Sequence, residues 1–187
     1  PSDKRLLEII HTNSGRVNDI IENVLQLSRR DHSMPEIIEL KPWLENFISE
    51  FLHSQGCNPD DVALHVEPDD ITAHMDATQL HQVLWNLCSN GLHHSRGYPL
   101  HPKLELHCGY SAKSNTPFID VIDQGAGVPP DAVHNIFEPF FTTAGKSSGL
   151  SLHIARELCE SKQARLNYVV IPNGGRCSRL EFADKPQ

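Results

Sequence analysis

Apolar or seam residues recur at Leu6, Ile10, Asn13, Val17, Ile20, Val24 and Leu27, in steps of 4, 3, 4, 3, 4 and 3. That rhythm belongs to helices that pack against other helices along their length. Leu7, Ile21 and Leu25 widen the stripe beyond a simple two-stranded seam, which favours a bundle. Ser2 or Asp3 can cap the start. Asn13 sits on the seam, where a polar residue fixes register at some cost in stability. A helix packed on its own domain is the plainer reading. Against it, the pattern runs for nearly thirty residues and ends in Ser28-Arg29-Arg30-Asp31. The chain is therefore expected to divide into a bundle-forming helix over residues 1–34 and a separate folded domain over residues 35–187. A lone bundle helix exposes its stripe, so self-association through residues 3–30 is expected.

The second part alternates short strands with helices. Ile37 to Leu40 reads as a strand, and Pro42 suits the first turn of a helix that carries Trp43, Leu44, Phe47, Ile48, Phe51 and Leu52 and ends near Gly56. Alternation at Val62, Leu64 and Val66 predicts a strand. Asp76 opens a helix running to about His94. Strands follow around Leu104 to Cys108 and from Phe118 to Ile122. A short helix is expected near 131–136, a loop without apolar pattern over 141–148, and a helix from about Gly149 to Ser161. Leu166 to Ile171 and Cys177 to Phe182 read as a closing hairpin turned at Pro172-Asn173-Gly174-Gly175. Strands in hairpin-like pairs, with helices to cover one face, favour α+β: a two-layer α/β sandwich and not a doubly wound sheet.

Composition narrows the function. The formal charge of −8 argues against a nucleic-acid surface, because phosphate backbones select basic patches. It leaves room for one nucleotide held locally. The five cysteines are odd in number and contain no Cys-x-x-Cys pair, which argues against a disulfide framework and fits a reducing compartment. His93, His94, His101, His107 and Cys108 lie close in sequence but match no ligand spacing, so no zinc site is expected. No apolar run reaches the roughly 20 residues that span a bilayer, and no signal peptide is visible.

Three patches carry chemistry. Asn86 and Asn90 stand four apart on one helix face, and an amide oxygen is a hard ligand suited to magnesium. Alone, the pair also fits capping or surface roles. Asp123-Gln124-Gly125-Ala126-Gly127 follows an apolar strand directly. Its carboxylate can accept from an exocyclic amine such as adenine's, and its glycines let backbone approach a flat ligand and take positive φ. Alone, it is equally an ordinary turn. Ile136 to Thr143, then Gly145 to Leu152, combines aromatics with a polar loop and a helix start that can offer N–H groups to phosphates. A buried aromatic cluster anchoring a loop is compatible with the same residues. Gly145-Lys146-Ser147 ends like a P-loop, but that motif needs glycine at 140, where Phe stands.

In this order the patches resemble the ATP-binding domain of sensor histidine kinases, whose fold is shared with gyrase, Hsp90 and MutL ATPases. The resemblance covers essentially the whole chain. The two-Asn helix corresponds to the N-box, the Asp-x-Gly-x-Gly turn to the G1 box, Phe137-Glu138-Pro139-Phe140-Phe141-Thr142-Thr143 to the F-box, and the segment through Leu152 to the G2 box. The first helix looks like the second helix of the family's dimerisation and phosphotransfer hairpin. The resemblance implies ATP and Mg²⁺ as cofactors, with Asn90 on the metal and Asn86 supporting the phosphate site. It implies Asp123 on the adenine amine, Gly125 and Gly127 shaping the base pocket, and His93 and His94 near phosphate or ribose. Phe137, Thr142, Thr143, Ser148, Gly149 and Leu150 would complete the nucleotide site. It further implies transfer of the γ-phosphoryl to a histidine, relay to a cognate response regulator, and a place in the cytoplasmic portion of a membrane-anchored bacterial sensor. A degenerate nucleotide-binding or scaffold module without transfer is the alternative.

Two departures qualify this. The family's G2 box reads Gly-x-Gly-Leu-Gly-Leu, whereas here it reads Ser147-Ser148-Gly149-Leu150-Ser151-Leu152, and Ala144 replaces the Lys that follows the F-box. A serine held at positive φ costs on the order of 1–2 kcal/mol, so ATP binding weaker than the family's is expected. The phosphoacceptor motif, a His followed by an acidic residue and soon a Pro, is also missing: His11 leads into Thr12-Asn13-Ser14-Gly15. The chain has no initiator Met, and the expectation is a piece of a longer protein that begins after the acceptor helix and does not autophosphorylate alone.

Overall fold

The computed structural model describes residues 34–95, 97, 102–141, 149–160, 164–171 and 175–183. The bundle-forming helix and the self-association through residues 3–30 lie outside them, as do Thr142, Thr143, Ser147 and Ser148.

Strand β1 (Glu36–Glu39) leads straight into helix α1 (Leu40–Gln55). Leu40, Leu44, Phe47 and Phe51 recur at helical spacing and are buried. Gly56 ends α1 in the left-handed conformation (φ 62°), which glycine adopts without a Cβ penalty. Strands β2 (Val62–Val66) and β3 (Thr72–Met75) follow. Helix α2 (Ala77–His94) starts where the Asp76 carboxylate accepts hydrogen bonds from the Thr78 and Gln79 N–H groups, at 2.9 and 3.0 Å. It buries Leu80, Val83, Leu84, Leu87 and Leu92, each such side chain contributing about 1.5–3 kcal/mol when fully buried. Strands β4 (Leu104–Tyr110) and β5 (Pro117–Asp123), helix α3 (Ser151–Glu160), and strands β6 (Ala164–Val169) and β7 (Arg176–Phe182) complete the order.

Five strands form one sheet in the order β2-β4-β5-β7-β6. Leu104, Leu106, Ile119, Val121, Leu180 and Phe182 are buried. They form one core with Leu84, Ile154 and Leu158 of the helices. The result is the expected α+β sandwich of two layers. β6 and β7 are antiparallel as anticipated, and β7 also pairs antiparallel with β5. On the face away from the helices, Arg179 grips Asp120 with two hydrogen bonds of 2.7 Å across β5–β7 and lies over the Phe118 ring.

Three details differ from the sequence reading. β2 joins β4 in parallel, not as a hairpin, because β3 and α2 form the crossover between them. β3 itself is too short, and too weakly alternating at Thr72-Ala73-His74-Met75, to stand out before it pairs antiparallel with β1. The expected helix near 131–136 is a single tight turn, Val133–Asn135.

Candidate functional site

A cleft opens where α2 and α3 lie over the end of β5, β6 and β7. It is lined by Leu87, Asn90, His94, Val121, Asp123, Val128, Ile136, Phe141, Gly149, Ser151, Leu152, Tyr168, Arg176 and Ser178. The volume between its walls is about 730 Å³, including the part that opens to solvent. Apolar and polar side chains share the walls about equally, which suits a small organic ligand with both an apolar body and polar groups.

Asp123 occupies the end of β5 and is only 5% exposed. The Gly125 N–H donates to its Oδ1 at 2.7 Å, so the carboxylate is held in place from its own turn. Burial pushes its pKa up to about 6, against the opposing pull of the Gly125 N–H and the Arg176 charge. The two glycines of the turn serve different needs. A Cβ on Gly125 would stand 2.7 Å from Asp123 Oδ1 and 3.2 Å from His94 Cβ. Gly127 instead takes positive φ (78°). The turn is tied to the end of α2, because the Gln124 N–H donates to Ser95 Oγ at 3.1 Å while Ser95 Oγ donates to the Lys103 carbonyl at 2.9 Å.

Helix α2 presents Leu87, Asn90 and His94 to the cleft on one face. Asn86, one turn before Asn90, does not line it, and its side-chain nitrogen is buried with no hydrogen-bond partner. His94 has its pKa driven down to about 4, chiefly by burial and then by the Arg176 and His93 charges. It is therefore uncharged near neutral pH and can hydrogen-bond a ligand without neutralising phosphate. His93 stacks edge-on against His94, with ring centroids 5.6 Å apart, and lies outside the lining.

The third wall comes from residues just before α3 and from its first turn. Phe141, Gly149, Ser151 and Leu152 reach the cleft. Phe137 does not: it is buried, Arg156 lies 5.3 Å from its ring centroid, and its carbonyl contacts His153 Nδ1 at 3.1 Å. It anchors the segment to α3. Leu150 is likewise buried next to the cleft. Gly149 has φ 68°, and a Cβ there would fall 2.6 Å from the Phe140 carbonyl carbon and 2.7 Å from the Phe141 carbonyl oxygen. Ser151 is the first residue of α3 and has no positive φ. The strain expected of serine at that position is therefore absent, because the left-handed turn falls on the retained glycine two residues earlier.

The structure thus joins Asn90, His94, Asp123 and Gly149 in one cleft, with Gly125, Gly127 and Leu150 supporting it. Thr142, Thr143 and Ser148 lie outside the described residues. Several contributors escaped the sequence reading. Arg176 faces Asp123 across the β5–β7 ladder and brings a cation to the lining. Tyr168 accepts a hydrogen bond at its hydroxyl from the Val128 N–H at 3.3 Å. Gly91 and Gly175 admit close neighbours: a Cβ would meet Leu104 Cδ2 at 2.7 Å and the Asp123 carbonyl oxygen at 2.5 Å, respectively. A glycine in the interior of a helix directly after Asn90 was the available signal for Gly91.

With this geometry in hand, residues 75–186 match the family described as histidine kinase-, DNA gyrase B-, and HSP90-like ATPase, more than half of the chain. Sensor protein kinase PilS of Pseudomonas aeruginosa is 45% identical over 183 residues, which is 97% of this chain and 34% of that relative. The chain spans about a third of the relative's length. Among solved structures, the Acinetobacter baumannii histidine kinase AdeS superimposes with a TM-score of 0.68 at 15% identity, covering 95% of this chain and 83% of that one. Full-length ShkA in complex with AMPPNP gives a TM-score of 0.65 at 22% identity, covering 91% of this chain and 36% of that one. Both structural likenesses are likenesses of fold. No helix among the described residues is long and apolar enough to cross a membrane.

Proposed function

This chain belongs to the histidine kinase-, DNA gyrase B-, and HSP90-like ATPase family, and from that premise we propose that it is the ATP-binding catalytic part of a two-component sensor histidine kinase. The reaction is transfer of the ATP γ-phosphoryl to a histidine on a hairpin helix, for relay to a response regulator. The observation that carries the reading is a buried carboxylate, Asp123, fixed at the floor of a cleft whose walls are Asn90 and the start of α3.

The chain's residues divide the work along the cleft. Asp123, ionised, accepts from the adenine amine. Val121, Val128 and Ile136 give the base an apolar wall. We assign the phosphates to the start of α3, whose first N–H groups have no intrahelical partners and carry the positive end of the helix dipole. His94 adds a neutral hydrogen-bonding group and Arg176 a positive charge. Asn90 fits magnesium, since that ion takes oxygen ligands and keeps waters and phosphate oxygens in its shell beside one or two protein ligands. When bound, the ion neutralises phosphate charge. The chain's own contribution to transfer is positioning and electrostatic complementarity. Asn86 acts behind Asn90, through the packing of α2. We place the chain in the cytoplasmic portion of a membrane-anchored sensor, with association through residues 3–30 bringing hairpins together.

The test mixes this chain with radiolabelled ATP, magnesium and a separate fragment bearing the acceptor helix. Label on the fragment, lost with Asp123→Asn and with the acceptor His→Ala, is the expected result. Tight nucleotide binding without any transfer would instead identify a binding module.

A further inference from the structure

The sheet face turned away from the helices carries a cluster that the nucleotide site does not use. In β4, Leu104, Leu106 and Cys108 are buried, so the alternate residues Glu105 and His107 share the opposite face. The parallel register sets His65 of β2 beside His107. Their ring centroids are 4.7 Å apart at 62°. His107 Nε2 lies 3.1 Å from Glu105 Oε2. One ligand atom from each of the three residues falls within 4.8 Å of the others.

We propose that His65, His107 and Glu105 form a site for a transition-metal cation of the zinc type, which clips edge strand β2 to β4. Two imidazoles and a carboxylate are a donor set that zinc accepts, with water in the fourth position. Zinc–ligand bonds of about 2.0–2.2 Å put tetrahedral ligand atoms roughly 3.4 Å apart. Closing from 4.8 Å therefore needs shifts of about 1.5 Å, within the reach of side-chain rotation on an open face. The neighbourhood does not repel a cation. Glu45 and Glu67 line the groove beside the two histidines, and the ammonium of Lys41 there is held by Asp69 at 2.7 Å. Imidazole ligands select against magnesium, which keeps this site distinct from the nucleotide cleft. The sequence hid it because His65 and His107 are brought together by parallel pairing over forty residues of chain, not by a ligand spacing.

The test titrates the full chain, free of nucleotide and chelator, with zinc chloride by calorimetry and against a fluorescent zinc indicator. Expected is binding on the order of 10 µM or tighter, short of a closed four-ligand site, accompanied by a zinc-dependent rise in Tm. His65→Ala and His107→Ala should each weaken it at least about tenfold and remove the Tm rise. His65 is exposed, so its removal leaves the fold intact, which circular dichroism checks. His53→Ala, on α1, should bind as the parent does. Affinity weaker than about 10 µM overturns the proposal, and so does zinc binding that neither substitution at 65 nor at 107 reduces.

Discussion

Gly91→Ala sets two effects against each other at the nucleotide cleft. Gly91 follows Asn90 inside α2, and an added Cβ would stand 2.7 Å from Leu104 Cδ2, 3.2 Å from Asp123 Cβ and 3.6 Å from Asp123 Oδ2. Helix propensity alone favours Ala by about 0.8–1.0 kcal/mol. Packing opposes it. Leu104 is completely buried, so its methyl has no open space to enter, and overpacking of this kind costs about 1–3 kcal/mol. The balance is a net loss of roughly 0–2 kcal/mol in folding stability. Binding suffers separately, because with Leu104 locked in the core α2 relieves the clash by lifting off the sheet, which carries Asn90 and His94 away from Asp123. Losing half of a charge-assisted hydrogen bond worth about 1.5–3 kcal/mol weakens nucleotide binding by roughly 4- to 13-fold. Urea denaturation measures the first quantity, and titration with a fluorescent ATP analogue the second. A variant that gains the full 0.8–1.0 kcal/mol and binds nucleotide as the parent does would refute the close-approach reasoning and leave Gly91 as merely a poor helix former.

Asp123 has its pKa raised to about 6, and in the proposed role the adenine amine selects the ionised form, so affinity should be full above pH 6 and fall by up to about tenfold per unit below it. A flat profile between pH 5 and 8 would remove Asp123 from base recognition. In folding stability the same raised carboxyl loses ground as pH climbs from about 4 to 6, while His94, lowered to about 4, gains over that window. Asp123→Asn should therefore leave stability rising with pH there, which thermal melts at pH 4 to 6.5 can check. Gly149→Ala combines strain of about 1–2 kcal/mol at φ 68° with a clash against the Phe140 backbone, and should weaken nucleotide binding at least about tenfold. Unchanged affinity would count against this wall of the cleft. Ser151→Gly relieves no backbone strain and loosens the start of α3 by about 0.5–1 kcal/mol, so affinity should stay within about twofold of the parent. A tenfold gain would instead put the Ser151 side chain in the way of the phosphates.

What the sequence made legible is what neighbouring residues determine. The Asp76 cap, the apolar stripe of α2 and the run from β5 into Asp123 are local patterns, and each stands where its pattern put it. The closing hairpin followed from its alternation and its glycines. The parallel β2–β4 pair did not, because register between strands 40 residues apart has no local signature. The same limit hid Arg176, Tyr168, Gly175 and Ser95. Each acts on the Asp123 turn from another element, through a ladder position, a hydroxyl or a close approach. Phe137 shows a different limit, since spelling alone does not tell an aromatic that lines a cleft from one that, as here, is buried beneath it and anchors the segment to α3.

At the start of α3 the serine at 151 alters the cleft less than its spelling suggests. Two left-handed residues stand at its entrance, Phe140 (φ 66°) and Gly149 (φ 68°), and the Phe140 N–H donates to the Gly149 carbonyl at 3.0 Å. A phenylalanine in that conformation costs about 1–2 kcal/mol and persists only where its surroundings enforce it. Here that hydrogen bond, and the one from the Phe141 N–H to the Glu138 carbonyl at 3.2 Å, hold the crossing. Gly149 is the position at which the crossing tolerates no Cβ, since two backbone atoms would lie within 2.7 Å of it. Ser151 has already entered the helix, where a Cβ is ordinary and favours order over glycine. At position 151 the serine therefore falls where the backbone makes no demand, and the glycine that the geometry requires at 149 is kept.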